Sequence, residues 1–405
     1  MTTVVLFRDD LRVTDHPALH EAVSHGEPVV CLYVLDQESE GVRPLGGAAK
    51  WWLHHSLSSL AADLSELGVP LTLRRGPAGE VVPGVVRETG ADRLLWNRRY
   101  GGPERAVDAG LKEWAGENGV DAHSYAGSLM FEPWTVSTQN GDPYRVFTPF
   151  WRACTSGPPP REPYPAPSSI DPADPAPASD DLANWGLLPT HPDWSGGLAR
   201  TWTVGERAAH ERLDDFLDER LPRYAQDRDV PAKPATSGLS PHLRWGEISP
   251  YTVWHTALER AENPGKFLTE VGWREFSWYN LYVHPDMATE NINPKFDAFP
   301  WPPLDEDVLA AWQMGRRDPA GGRRDARAVG DRDHAEPRAH GGGLPAGQEP
   351  ADRLAPGRAV VLGHPGGRGP REQSAQLAVG GRLRHGRRAL LPDLQRRDAA
   401  EEVRP

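Results

Sequence analysis

Short apolar runs alternate with longer stretches of helical periodicity through the first 132 residues. Residues 4–7, 29–35, 71–74, 93–96 and 122–125 are strand-sized, and residues 17–24, 48–67, 78–88 and 103–118 between them read as helices. In the second of these helices Trp52, His55, Leu57, Leu60, Leu64 and Leu67 recur at helical spacing, and Gly68 follows as a stop. Strands alternating with helices predict an α/β domain on a doubly wound, parallel five-stranded sheet. Residues 156–197 are rich in Pro, Ser, Asp and Ala, as in Pro158-Pro159-Pro160 and Ser179-Asp180-Asp181, which predicts an irregular connector over the surface. Helical patterns return at 204–220, 253–262, 266–284 and 305–313, so the second domain is expected to be all-α. The division that follows is 1–132, a connector at 133–203, a helical domain at 204–314, and a tail at 315–405.

Composition sets the tail apart. All 15 Trp, 9 Tyr and 9 Phe lie at or before Trp312, and the 93 residues after it also lack Lys, Ile, Thr, Asn and Cys. Such a segment cannot build a core and is expected to be disordered, and the helical domain is then incomplete. A reading-frame change in a GC-rich gene explains the bias, because Arg, Gly, Ala and Pro share codons that begin with G and C. Reading Glu336-Pro337-Arg338-Ala339-His340 one base later permits Asn-Arg-Val-Arg-Met. The same shift over residues 362–369 permits Trp-Asp-Thr-Leu-Val-Asp-Ala-Asp. The alternative is a native low-complexity basic arm.

Charge follows the same break. The tail holds 18 Arg against 12 acidic residues, which leaves 27 basic and 45 acidic residues in the body. So acidic a body argues against non-specific DNA coating, though a local basic groove remains compatible with it. With only Cys31 and Cys154 there is no disulfide framework and no cysteine metal site, and the adjacent pair His54-His55 is not a metal site either. No secretory signal precedes the first strand and no apolar run is long enough to span a bilayer, so a cytoplasmic, non-membrane protein is expected.

Three words carry candidate chemistry. Phe7-Arg8-Asp9-Asp10-Leu11-Arg12-Val13-Thr14-Asp15-His16-Pro17 ends a strand and opens a helix, where ligands bind in doubly wound sheets; a charged turn is the plainer reading. The glycine fingerprint of a dinucleotide fold is absent from the body, which argues against an ordinary dehydrogenase. Around Gly238, Thr236, Ser237 and Ser240 offer hydroxyls and backbone N–H groups suited to pyrophosphate, while Ser240-Pro241 alone reads as a helix cap. Trp273 has the chemistry to stack on a splayed base, or to pack in a core, and Glu270 one turn before it is otherwise a solvated helix charge.

The first of these words resembles the start of the DNA photolyase/cryptochrome family, and further words agree in order. Trp96-Asn97-Arg98-Arg99-Tyr100 with Pro103, Arg105 and Asp108 resembles its fourth-strand turn. Tyr144-Arg145-Val146-Phe147-Thr148-Pro149-Phe150-Trp151 resembles its domain-exit segment. Thr236-Ser237-Gly238-Leu239-Ser240-Pro241-His242-Leu243 with Gly246-Glu247-Ile248-Ser249-Pro250 resembles its flavin-phosphate loop, and Glu270-Val271-Gly272-Trp273-Arg274-Glu275-Phe276 the helix facing flavin and lesion. The two frame-shifted words match its next flavin motifs, and the resemblance covers residues 1–312 almost continuously.

That resemblance, closest to the class I cyclobutane pyrimidine dimer type, implies a light-driven carbon–carbon lyase acting on damaged DNA as a monomer. It implies FAD held by Tyr224, Thr236, Ser237, Gly238, Leu239, Ser240, Phe267 and Arg274. Glu270 and Trp273 are implied to meet the dimer, and Trp301 to end an electron-conducting Trp chain. An antenna pigment, 8-hydroxy-5-deazaflavin or methenyltetrahydrofolate, is implied in the first domain, with Arg8, Asp36, Lys50 and Arg105 on the plausible face. A cryptochrome-like blue-light receptor, or a non-functional frameshifted product, is the alternative.

Overall fold

A computed structural model describes residues 1–230 and 232–300. The helix expected at 305–313, Trp301 and the tail lie outside the described residues. Five strands form one parallel sheet: β1 (Thr3–Phe7), β2 (Val29–Leu35), β3 (Leu71–Arg75), β4 (Arg93–Asn97) and β5 (Asp121–Tyr125). Their order is β3-β2-β1-β4-β5, with Thr3 opposite Val29 on one side of β1 and Arg93 on the other. Every residue of β1 and β2 is buried, whereas β5 at the edge carries Asp121, His123 and Ser124 and is partly exposed. Parallel strands covered on both faces need such apolar runs.

Alternation of side chains across the strands divides the core in two. Val5, Phe7, Cys31 and Tyr33 face α1 (Pro17–Ser24) and α2 (Gly47–Glu66), where Leu53, Leu57, Leu60 and Leu64 complete the layer. Val4, Leu6, Val30 and Leu32 face α3 (Ala78–Thr89) and α4 (Gly102–Glu117), meeting Val82, Val86 and Leu111. The predicted doubly wound sheet is thus present, with strand bounds within a residue of those read from the pattern.

The Pro-rich segment differs from a plain surface connector. Within the connector it is preceded by α5 (Phe147–Ser156), and it packs on the first domain: Ile170, Trp185 and Leu187 enter the core beneath α2. Asp180 N donates to Leu73 O, and Leu73 N donates to Ser179 Oγ, so this stretch satisfies backbone groups of the edge strand β3. An uncovered edge would leave those groups open to pairing with other chains.

Helices follow: α6 (Gly196–Thr201), α7 (Glu206–Asp215), α8 (Tyr224–Asp227), α9 (Ser240–Trp245), α10 (Pro250–Arg260) and α11 (Gly265–Val283). The single helix expected over 204–220 ends at Asp215 and continues as a π-turn over Phe216–Arg220. Phe216, Tyr224, Leu239 and Phe267 anchor the helical core.

The turn after β1 proves to be a clasp between the two parts. Leu11 N donates to Trp245 O, and the buried Arg12 guanidinium donates to Asp15 O, Gly246 O and Gly127 O at 2.7–3.1 Å. Val13 N and Thr14 N donate to the Glu206 carboxylate. Asp15, fully buried, accepts from Arg161, Tyr164 N and Ser249 Oγ. Gly246 sits at φ +67°, and a Cβ there would lie 2.2 Å from Asp9 O, so only glycine permits the approach.

Candidate functional site

The π-turn and α8 pack on α11. Its inner face is apolar, with Phe267, Leu268 and Val271 in the helical core, because these positions repeat at three- and four-residue intervals. Phe267 meets Phe216 at 4.7 Å and Tyr224 at 5.9 Å between ring centroids, and Tyr224 stands edge-on to Phe216. These three rings make one aromatic wall from α8, the π-turn and α11.

Beside that wall runs the loop 236–240. Leu239 is buried in the core and anchors it, while Thr236, Ser237, Gly238 and Ser240 lie along the same stretch. Ser237 Oγ accepts from Leu239 N at 3.3 Å, folding the loop on itself. Gly238 holds φ +68°, and a Cβ there would come within 2.6 Å of Arg212 Nη1. Arg220 Nη1 donates to Thr236 O at 3.2 Å. Two guanidinium groups therefore border a hydroxyl-bearing glycine loop, a donor set that fits a pyrophosphate. This fits the phosphate end of FAD, beside an aromatic wall that is itself buried in the helical core.

On the outer side of α11, Glu270 is largely buried and ion-paired with Arg228 and, at 3.4 Å, with Lys266. Arg228 Nη1 also donates to the Tyr224 hydroxyl at 3.1 Å, tying the aromatic wall to this carboxylate. Trp273 lies one turn on and stacks on Phe147 with centroids 3.9 Å apart and planes 12° from parallel. Arg274 Nη1 donates to Ser128 O at 2.9 Å and to Glu275 Oε1 at 3.1 Å.

Glu275 is the most perturbed acid of the region. Burial raises its pKa to about 7, against the opposing pull of Arg274 and of the N–H groups of Phe131 and Met130, which donate to Oε2 at 3.2 and 2.8 Å. Together with Tyr251, whose hydroxyl donates to Leu129 O at 2.8 Å, Arg274 and Glu275 grip each residue from Ser128 to Phe131.

In the first domain the four residues considered for an antenna come from different elements. Arg8 is buried and bound to Asp108 and to Asn97 O. Burial pulls the Asp108 carboxyl up, but Arg8 and Arg99 outweigh it and hold it below its ordinary value. Asp36 accepts from Ser39 and Ala78 N and so binds the turn after β2 and the start of α3. Lys50 lies in the first turn of α2, and Arg105 points to the other domain, 4.0 Å over the Tyr282 ring with a hydrogen bond to Tyr282 O.

Pattern reading had not singled out Arg212, Arg220, Arg228 or the role of Phe147. The three arginines are eight residues apart, which turns an ideal helix by about 80° per step, so no one helical face would have grouped them. The break at the π-turn is what lets Arg212 and Arg220 serve the same loop.

Two family descriptions match the chain: DNA photolyase over residues 3–168, and FAD binding domain of DNA photolyase over residues 267–317. The second match stops where the composition changes. The chain is 44% identical over 317 residues to a deoxyribodipyrimidine photo-lyase of Agrobacterium fabrum, covering 77% of this chain and 65% of that one. It is 32% identical over 335 residues to cryptochrome-1 of Arabidopsis thaliana, covering 78% and 48% respectively. The chain thus spans less than two thirds of the length of either. Among solved structures, a class III photolyase of Agrobacterium tumefaciens superposes with TM-score 0.87 at 37% identity, covering 94% of this chain and 79% of that one. Its subclass differs from the class I type that the motifs resemble.

Proposed function

Because the chain belongs to the DNA photolyase/cryptochrome family, we propose that it serves light-driven repair of cyclobutane pyrimidine dimers in DNA, as a deoxyribodipyrimidine photo-lyase. FAD, when bound and reduced, would supply the light-driven one-electron donor, and an antenna pigment, 8-hydroxy-5-deazaflavin or methenyltetrahydrofolate, would feed it light. The chain's own residues do the holding and the orienting. Thr236, Ser237, Gly238 and Ser240, with Arg212 and Arg220, would hold the cofactor's pyrophosphate, and Leu239, Tyr224, Phe267 and Arg274 would support the rest of it. Glu270 and Trp273 receive the flipped dimer, one by polar contact and the other by stacking, and Arg228 with Lys266 orients the Glu270 carboxylate.

What supports this reading is that one stretch of α11 carries Glu270, Trp273 and Arg274, with Glu270 ion-paired to Arg228, which also bonds Tyr224 in the helical core that Leu239 shares. The same pair, Glu270 and Trp273, favours repair over a cryptochrome-like receptor. Residues 1–132 then form the antenna domain, 133–203 the connector and 204–314 part of the FAD domain, in a cytoplasmic monomer working on damaged DNA. The test is light-dependent loss of dimers from an irradiated oligonucleotide, using protein whose reading frame after codon 313 is restored. Bound FAD with no loss of dimers refutes the repair reading. The chain as written is expected to retain little FAD, and yellow protein with stoichiometric flavin after purification would contradict that.

A further inference from the structure

We propose that Phe147 is a positioning residue for lesion recognition, acting only through Trp273; this rests on the repair reading above. Phe147 opens α5, in the segment that leaves the first domain, yet its ring lies against α11. Three ring planes are nearly parallel in sequence: Trp151 and Phe147 at 6.1 Å and 14°, then Phe147 and Trp273 at 3.9 Å and 12°. Aromatic pairs this close are oriented as well as buried, because ring quadrupoles favour particular arrangements.

The column is braced from the side. Trp254 and Phe131 meet Trp151 edge-on at 5.9 and 6.1 Å, and Phe276 meets Trp273 in the same manner at 5.9 Å. It also depends on Gly272, where a Cβ would stand 2.7 Å from the Trp151 ring. Any side chain there would push Trp151, and Phe147 with it, off the helix. Phe147 itself is buried, whereas Trp273 is only half-buried. One face of the indole is thereby sealed and its plane fixed, which leaves the opposite face to meet a base.

A base entering such a site finds the indole already in place, and the ordering cost has been met on folding. Replacing the ring of Phe147 removes that advantage for a flipped dimer and leaves intact duplex, which presents no free base, unaffected. A stacked pair of this kind corresponds to about a 2- to 12-fold change in an equilibrium.

The experiment compares binding of one duplex with and without a single thymine dimer to the frame-restored protein. Phe147→Leu should lower the preference for the dimer duplex about 2- to 12-fold, with binding to undamaged duplex unchanged. Phe147→Tyr, which keeps the ring, should restore it. In a Trp273→Leu background Phe147→Leu should cost nothing further. An unchanged preference in Phe147→Leu overturns the proposal, as does an undiminished loss in the Trp273→Leu background or a failure of Phe147→Tyr to restore. A wild-type protein with no preference for the dimer duplex refutes the repair reading itself, and this proposal with it.

Discussion

Glu275→Gln should change how stability depends on pH. Glu275 is 1% exposed, and burial raises its pKa from 4.5 to about 7 despite the N–H groups of Met130 and Phe131 and the neighbouring Arg274. Between those two values the unfolded chain has released the proton while the folded chain keeps it. The folded state therefore loses ground by about 1.4 kcal/mol for each pH unit, and above pH 7 the loss levels off. A glutamine has no such proton, so the wild type should fall relative to Glu275→Gln by about 2–3 kcal/mol between pH 5 and pH 8. The amide oxygen of the substituted side chain still accepts from the same backbone N–H groups, so the comparison isolates the charge. Urea unfolding followed by circular dichroism measures the difference directly, as a relative midpoint shift of roughly 1 M. Parallel pH profiles for the two proteins would show that Arg274 and the backbone donors fully compensate burial, and the reasoning would be wrong.

Three further outcomes are expected. Gly246→Ala should destabilise by about 3 kcal/mol or more, since its Cβ meets the backbone of Asp9 and Asp10 at 2.2–2.8 Å, while Gly119→Ala, also left-handed but in open space, should cost about 1 kcal/mol in the same urea assay. Asp15→Asn should cost about 3 kcal/mol by leaving Arg161 beside a neutral group in the buried clasp, and a change under about 1 kcal/mol would mean that the clasp is held mainly by its backbone contacts. Arg212→Ala should weaken FAD binding to the frame-restored protein by about tenfold or more, read by flavin fluorescence; an unchanged Kd would remove Arg212 from the phosphate site.

Much of this architecture was legible because its causes are local. The apolar runs of β1 and β2 and the helical spacing of Trp52, Leu57, Leu60 and Leu64 specify burial within a few residues of themselves, and the sheet follows. The candidate site was legible as words: Glu270, Trp273 and Arg274 share one helical turn, so proximity in sequence is proximity in space. The turn from Phe7 to Pro17 was legible only as charged, since its partners Gly127, Arg161, Glu206 and Ser249 are over a hundred residues away.

The sequence by itself determined the doubly wound sheet, the helical second part, the order of the motifs and the break after Trp312, all of which depend on periodicity or residue type along the chain. Only the tertiary structure decided that Arg12 and Asp15 clasp two domains, that Arg212 and Arg220 border the glycine loop, and that Phe147 lies flat on Trp273. Those pairings join residues from separate elements, and the energy of a buried ion pair or a stacked ring depends on distance and burial that no local pattern encodes.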